Sequence, residues 1–182
     1  FSPGDKWNYS VATDVLGHLV EVFSGMNLED YFIKYIFKPL EMPDTSFSCP
    51  EDKLNRLASL YEHNPKGDPN LLEIPFLNTK MASGGGGLFS TMNDYHNFCY
   101  MLLNQGEFKG KRLIGRKTLE LMTANHLPNN QDLTEMSESA FSETPYAGGG
   151  FGLGFSVMLD PAKSQSLSDR GEFGWGGAAS TV

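Results

Sequence analysis

The hydrophobic pattern of this chain changes its period once, close to residue 150. Before that point, apolar residues recur at the spacing of amphipathic helices, as they do over residues 11–23. Over residues 151–159, large apolar side chains alternate with small or polar ones, which is the two-residue period of a half-buried strand. This order predicts an α/β fold, with a mainly helical and loop region over residues 1–149 and two late strands over residues 150–182.

Local signals mark where the predicted helices begin and end. Gly25 is typical of a helix C-terminus, and Asn27 is typical of the N-cap of the next helix, which we expect Pro39 to end. Thr91, with Asp94 three positions later, has the form of a capping box with aspartate in place of glutamate. Two stretches are rich in polar and turn-forming residues and are predicted to be surface loops, namely residues 40–87 and 127–149.

Composition excludes several classes of function. At 182 residues, of which 40% are apolar and 20% charged, the chain has the size and composition of one globular domain. A net charge of −8 argues against a nucleic-acid partner, and no apolar run approaches the ~18 residues of a membrane-spanning helix. The two cysteines, Cys49 and Cys99, are too few for a disulfide framework and favour a reducing, cytoplasmic compartment.

Metal and nucleotide motifs are also missing from the sequence. His18, His63, His96 and His126 do not have the spacing of a zinc site. The glycine run at residues 84–87 is not followed by the Gly-Lys-Ser/Thr of a phosphate-binding loop. The chain has no Gly-x-Ser-x-Gly elbow, so an α/β-hydrolase is not indicated either. The sequence therefore predicts no metal and no cofactor.

Five short motifs follow one another along the chain. They are Trp7-x-Tyr9-Ser10, Pro-Leu-x-Met-x-Asp-Thr at residues 39–45, a glycine-rich turn at residues 83–91, Gly-Phe-Gly-Leu-Gly-Phe at residues 150–155, and Gly-Trp-Gly-Gly-Ala at residues 174–178. In this order they resemble the serine β-lactamase-like superfamily, with its class C β-lactamase-related domain, and within it the family VIII carboxylesterases. The resemblance implies part of a β-lactamase/transpeptidase-like fold, in which the late strands belong to an antiparallel sheet.

The resemblance also implies catalytic roles for two positions. Tyr9 stands where the family has the tyrosine that acts as general base or proton relay for a nucleophilic serine. Ala178 stands where a backbone N–H faces the substrate carbonyl as an oxyanion donor, a contact worth ~2.7–4 kcal/mol in the transition state. The alternatives are an aromatic residue that packs at a helix entry and a glycine-rich strand bend that serves the core alone.

Two departures from the lactam-cleaving relatives bear on the substrate. Val11 replaces the asparagine that usually follows the tyrosine by two places, and Trp175 replaces the lysine of the late-strand motif. Both changes remove polar partners of a β-lactam and favour a neutral ester. Gly176 and Gly177 lack the β-carbon that would keep an acyl group away from the strand backbone. These four residues are the predicted substrate-binding set.

The nucleophile motif of the family, Ser-x-x-Lys, does not occur in the 182 residues. We therefore expect the chain to be part of a serine hydrolase that cleaves a small-molecule ester through an acyl-enzyme, and to be inactive by itself. A β-lactamase or D-alanyl-D-alanine carboxypeptidase acting on a lactam or peptide is the alternative enzyme. A non-catalytic binding or assembly module of the same fold is the alternative from another class.

Overall fold

The computed structural model describes residues 1–2, 4–74, 77, 81–138 and 146–177. The chain forms two compact units. One unit combines Phe1–Ser10 with Ile114–Val182, and the other is Val11–Leu113. The assignment of residues 1–182 to a single domain stays a prediction. None of the helices in the described ranges is both long and apolar enough to cross a membrane.

The Val11–Leu113 unit begins with two helices whose ends match the sequence signals. Helix α1 (Ala12–Ser24) stops at Gly25, which takes a left-handed conformation with φ of +67°. Helix α2 (Leu28–Phe32) starts after Asn27, whose side chain accepts a hydrogen bond from the Asp30 N–H. A π-helical turn, Ile33–Phe37, extends α2. The predicted C-terminal glycine and N-cap asparagine are confirmed.

Helix α1 approaches the glycine-rich turn through its small residues. Gly17 is the buried residue of α1, and a β-carbon on it would lie 3.1 Å from the Gly84 Cα. A β-carbon on Gly84 would in turn lie 2.1 Å from the Thr13 carbonyl oxygen, so only glycine fits there. The Ser83 hydroxyl donates a hydrogen bond to the Asp14 carboxylate. The glycine run of the sequence is thus a packing surface for α1.

Helix α3 (Met92–Leu103) is joined to the preceding loops by a buried carboxylate. Thr91 caps the helix by accepting a hydrogen bond from the Asp94 N–H, which confirms one half of the predicted capping box. Asp94 is 4% exposed and accepts hydrogen bonds from the Thr45 hydroxyl at 2.9 Å and from the Asp44 N–H at 2.7 Å. Two of the five sequence motifs therefore meet at Asp94.

Short paired strands complete this unit. A 3₁₀ turn at Glu51–Arg56 precedes the antiparallel hairpin of β1 (Leu60–Glu62) and β2 (Asn70–Leu72). A second hairpin joins β3 (Glu107–Phe108) to β4 (Lys111–Arg112). The first hairpin lies within residues 40–87, which were predicted to be a loop. That prediction was wrong for the residues of β1 and β2. Both strands are largely exposed, so they carry no alternation of buried and exposed residues to predict them from.

The other unit carries a three-stranded sheet flanked by short helices. Antiparallel pairing gives the order β5-β6-β7, with Val157 opposite both Gly150 and Phe173. The predicted α/β class with an antiparallel sheet is confirmed. The elements are α4 (Arg116–Met122), a 3₁₀ turn (Pro128–Asn130), α5 (Leu133–Met136), β5 (Gly149–Phe151), β6 (Ser156–Met158), α6 (Pro161–Ser164) and β7 (Phe173–Gly174).

The alternating segment of residues 151–159 is two strands and not one. The chain reverses over residues 152–155, where the Gly152 N–H donates to the Phe155 carbonyl at 2.7 Å and Gly154 has φ of +96°. Gly152 also lies against α4, since a β-carbon there would be 2.2 Å from the Met122 carbonyl oxygen. The prediction of a single strand was wrong because this reversal depends on glycine geometry within an otherwise strand-like pattern.

Candidate active site

Among the described residues, four aromatic rings from three separate segments of the sequence form one cluster. Trp7 has its ring centroid 4.9 Å from Phe151 and 6.0 Å from Trp175. The Phe151 and Trp175 rings meet edge to face at 5.3 Å. The ring centroid of Tyr9 lies 6.4 Å from that of Trp7, so Tyr9 belongs to the same cluster. All four residues belong to the unit that contains the sheet.

Within this cluster the predicted relay residue lies against a predicted substrate-binding residue. The rings of Tyr9 and Trp175 are nearly parallel, with an interplanar angle of 14° and centroids 6.0 Å apart. The Tyr9 side chain is 58% exposed, whereas Trp175 is half-buried. Such offset stacking is a favoured aromatic geometry. It leaves the Tyr9 ring supported by Trp175 while much of its surface stays open to solvent.

Strand β7 positions Trp175 through the residue before it. Gly174 pairs with Ser156 on β6, and the Ser156 hydroxyl donates a hydrogen bond to the Gly174 carbonyl at 2.7 Å. Strand β7 ends at Gly174, and Trp175, Gly176 and Gly177 follow it. Both of these glycines are exposed, which leaves their backbone accessible. Of the second predicted late strand, the structure shows β7 at Phe173–Gly174, and residues 178–182 lie outside the described residues.

Two further residues were predicted for the site, namely Val11 and Ala178. Val11 precedes α1 as its N-cap, is 69% exposed, and belongs to the Val11–Leu113 unit. Ala178, the predicted oxyanion donor, lies outside the described residues. The structure therefore brings together Tyr9 and Trp175 among the predicted residues.

The cluster is separate from the cavity in the same unit. That cavity has a volume of about 220 Å³ and lies over the sheet, with Tyr146, Ser156, Glu172 and Phe173 in its wall. As far as the described residues go, neither Tyr9 nor Trp175 lines it. The candidate site is therefore defined by the aromatic cluster and by the exposed backbone after β7.

The segment that carries Tyr9 is held by main-chain pairing to the end of α5. The Trp7 N–H donates a hydrogen bond to the Met136 carbonyl at 3.0 Å, and Trp7 forms a parallel bridge with Ser137. One residue earlier on this segment, Lys6 makes an ion pair with Glu138. These contacts fix the course of the chain immediately before Tyr9.

Helix α5 is itself fixed by a buried carboxylate that the sequence analysis missed. Asp132 is 3% exposed and forms a capping box with Glu135. Its second oxygen accepts the Gly148 N–H at 2.9 Å and lies 2.5 Å from the Lys163 Nζ. Asp132 thus joins α5 to the residue before β5 and to α6. The Asp-x-x-Glu spacing could have revealed the helix start, but the partners Gly148 and Lys163 are distant in sequence.

The environment of Asp132 strongly favours its ionised form. Burial alone would raise the pKa of this carboxyl group. Hydrogen bonds from Lys163, from the Thr134 hydroxyl and from the backbone N–H groups of Gly148 and Glu135 outweigh burial and lower the pKa from 3.8 to about 2. Hydrogen bonds to the Asp132 and Glu135 carboxylates raise the pKa of Lys163 above its usual 10.5. Asp132 and Lys163 therefore form a charged pair across neutral pH.

A family comparison covers the whole chain. The model of the Beta-lactamase family matches residues 1–182. The chain belongs to the Beta-lactamase family. This membership confirms the resemblance on which the site residues were predicted. Among the described residues of this Beta-lactamase family chain, no group of three or more His, Cys, Asp and Glu side chains could hold a metal ion.

Curated relatives of this Beta-lactamase family chain include an esterase. Protein Rv1367c of Mycobacterium tuberculosis is 35% identical over 98% of this chain and 45% of its own length. Esterase EstB of Burkholderia gladioli is 29% identical over 97% of this chain and 45% of its own length. The chain therefore spans less than half the length of the curated relatives it matches. The relatives that this chain matches thus include proteins named as an esterase and as an acyltransferase.

Solved structures share the fold of this Beta-lactamase family chain. The LovD6 mutant of simvastatin synthase from Aspergillus terreus superposes with a TM-score of 0.78 at 25% identity. The superposition covers 93% of this chain and 45% of the synthase. The described units thus have the arrangement of helices and small antiparallel sheets found in part of a β-lactamase-type fold.

Proposed function

We propose that this chain is part of a serine hydrolase that cleaves carboxylic esters through an acyl-enzyme. The observation that carries the proposal is the stacking of Tyr9 on Trp175, which joins the two motifs to which the sequence analysis gave catalytic and substrate-binding roles. Family membership over residues 1–182 supports it, as does the relative named Esterase EstB. The substrate is a small-molecule ester of the kind that a solvent-open aromatic wall can accept.

Tyr9 is the proton relay in this proposal. During acylation the Tyr9 oxygen accepts the proton of the attacking serine while its own hydroxyl proton is passed on to the leaving alkoxide, so that the proton count of Tyr9 is unchanged and no bare alkoxide is released. A positioned acid–base group of this kind contributes ~10²–10⁴-fold to the rate. The exposed Tyr9 ring can reach a substrate, and its stacking on Trp175 gives the hydroxyl a defined direction. The serine and its neighbouring lysine come from the full-length parent protein.

The backbone after β7 binds the acyl group. Gly176 and Gly177 are exposed, so a flat ester group can lie against their peptide planes without meeting a β-carbon. The Ala178 N–H then donates a hydrogen bond to the carbonyl oxygen as negative charge develops on it. Trp175 forms the apolar wall of the acyl-binding site. Such a site stabilises the tetrahedral intermediate more than the planar ester, as catalysis requires.

Two residues of the predicted substrate-binding set favour esters over lactams. Val11 offers an apolar side chain where a lactam side-chain amide would need a hydrogen-bond partner, and Trp175 brings no positive charge for a lactam carboxylate. β-Lactam hydrolysis is the second candidate, because the family to which the chain belongs is named for it. Serine acylation and its reversal by water are common to both reactions.

The test is made on the full-length parent and on the 182-residue chain side by side. We expect the parent to hydrolyse p-nitrophenyl esters much faster than nitrocefin and to be labelled by a serine-directed phosphonate. We expect the 182-residue chain to show no turnover and no labelling, because the members of a catalytic unit act together. Faster turnover of nitrocefin by the parent would favour the lactamase, and the absence of both activities would favour a non-catalytic module.

A further inference from the structure

We infer that Trp7 is a positioning residue for the reaction and that it fixes the direction of the Tyr9 side chain. This inference rests on the proposed relay role of Tyr9. Trp7 stands two positions before Tyr9, and its ring contacts those of Tyr9, Trp175 and Phe151 at centroid distances of 6.4, 6.0 and 4.9 Å. A change at Trp7 therefore reaches the Tyr9 ring through a direct contact and through Trp175.

The Tyr9 ring is held between two indoles at the surface of its unit. It is 58% exposed, and its ring contacts with Trp7 and Trp175 restrict the directions its side chain can take. Trp7 and Trp175 are half-buried and flank it, at interplanar angles of 44° and 14°. Large flat side chains restrict a neighbouring ring at low entropic cost because they have few rotatable bonds themselves. The two indoles thus limit the sector through which the Tyr9 hydroxyl can move.

Trp7 is anchored to the sheet by two independent routes. The first is the ring contact with Phe151 on strand β5. The second runs through the backbone. Trp7 donates its N–H to the Met136 carbonyl at the end of α5, and Asp132 at the start of α5 binds the Gly148 N–H just before β5. The backbone contact thus holds the main chain of Trp7, and the contact with Phe151 holds its ring.

The chemical consequence concerns the rate of proton transfer more than the binding of substrate. Proton relay requires the donor and acceptor atoms to be within hydrogen-bond reach, and a displacement of about 1 Å can cost on the order of 100-fold in rate. A smaller side chain at position 7 lets the Tyr9 ring rotate, which moves its hydroxyl out of hydrogen-bond reach of the reacting groups. The ester still binds against Trp175 and the glycines, so KM changes little while kcat falls.

The experiment is a double-mutant cycle on the full-length parent with a p-nitrophenyl ester. The variants are Trp7→Leu, Trp7→Phe, Tyr9→Phe and the Trp7→Leu/Tyr9→Phe pair. Phe155→Leu is the matched control, since Phe155 forms an edge-to-face pair with Phe173 at 5.1 Å in the same sheet without a place in the four-ring cluster. We expect Trp7→Leu to lower kcat roughly 10- to 100-fold at nearly constant KM. Trp7→Phe should restore part of this loss, and Phe155→Leu should keep the wild-type kcat.

The cycle separates positioning from a general packing effect. If Trp7 acts through Tyr9, Trp7→Leu causes no further loss of kcat in the Tyr9→Phe background. An equal loss in both backgrounds, an unchanged kcat in Trp7→Leu, or the same loss in Phe155→Leu would overturn the inference while leaving the relay role of Tyr9 intact. A wild-type kcat in Tyr9→Phe would instead overturn both. If Trp7→Leu does not fold, the same comparison is made with Trp7→Phe in the two backgrounds.

Discussion

The rings of Tyr9 and Trp175 lie nearly parallel with centroids 6.0 Å apart, although the two residues stand near opposite ends of the sequence. The contact joins an early motif, proposed to move protons, to a late motif, proposed to bind the acyl group. A side-chain hydroxyl and an open stretch of backbone are thereby presented on the same unit of the protein. The proposed site consists of the stacked Tyr9 and Trp175 rings and of the backbone at Gly176 and Gly177. The role of each group can be tested separately.

Replacing Val11 by asparagine tests the proposed preference for esters. The new amide supplies a hydrogen-bonding group that only a lactam side chain uses, so nitrocefin hydrolysis by the full-length parent should rise while p-nitrophenyl ester turnover stays within about threefold. Val15→Asn, the same change one turn further along α1 at a residue that is also exposed, is the control. A rise in lactam hydrolysis in both variants, or in neither, would argue against a binding role for Val11.

Asp132 should make stability depend on pH in the acid range. Its pKa is about 2 in the folded protein and 3.8 as an unperturbed group. The lowered value contributes about 2 kcal/mol that is present above pH 3.8 and lost as the pH falls through about 2. We expect the urea midpoints of the parent and of Asp132→Asn to differ at pH 6 and to converge towards pH 2.

The measurement for Asp132 needs a control for the other carboxylates. Glu120→Gln serves, because the ion pairs of Glu120 with Arg116 and Lys117 lie on the exposed surface of α4. Exposed pairs of this kind contribute little to the free energy of unfolding. A difference between the parent and Asp132→Asn that stays constant from pH 6 to pH 2 would show that the ionised carboxylate is not the stabilising group.

The exposed apolar surface of helix α1 indicates how the 182-residue chain will behave in isolation. The helix packs through Gly17, while its apolar residues form a stripe on the opposite side that is exposed in the structure, namely Val11, Val15, Leu16, Leu19, Val22 and Phe23. Contiguous apolar surface of this kind binds hydrophobic dyes and promotes association. We expect the isolated chain to bind such a dye and to sediment as more than a monomer.

Charged substitutions on α1 identify the surface responsible. The double change Leu19→Lys and Phe23→Lys should lower dye binding severalfold, because both residues lie within the stripe. His18→Lys adds a charge to the same helix beside the stripe and should leave dye binding nearly unchanged. Equal dye binding by all three chains would mean that another surface is responsible.

Sequence predicted those features of the fold that depend on local chemistry. Gly25, Asn27 and Thr91 end or begin helices as expected, since each acts on backbone groups a few residues away. The reversal at residues 152–155 escaped prediction because Gly152 lies against the Met122 carbonyl, which no local pattern encodes.

In the candidate site, too, contacts between residues distant in sequence could not be predicted from local patterns. Tyr9 and Trp175 were selected by resemblance to a family, because nothing in the periodicity of the chain relates two residues so distant in sequence. The sequence analysis did not predict the hydrogen bonds that hold the segments around these two residues. Asp132 is satisfied by Gly148 and Lys163, and Trp7 by the Met136 carbonyl, and all of these partners come together only when the chain folds. Local sequence could have shown no more than the capping box that begins α5.

The most direct test of the account is the acylation rate of full-length Tyr9→Phe. The change keeps the ring and its stacking on Trp175 and removes only the hydroxyl, so the free energy of unfolding should change by about 1 kcal/mol at most. Measured by the burst of p-nitrophenol from a p-nitrophenyl ester, acylation should slow by ~10²–10⁴-fold. Wild-type acylation by a correctly folded Tyr9→Phe protein would contradict the relay role and remove Tyr9 from the mechanism.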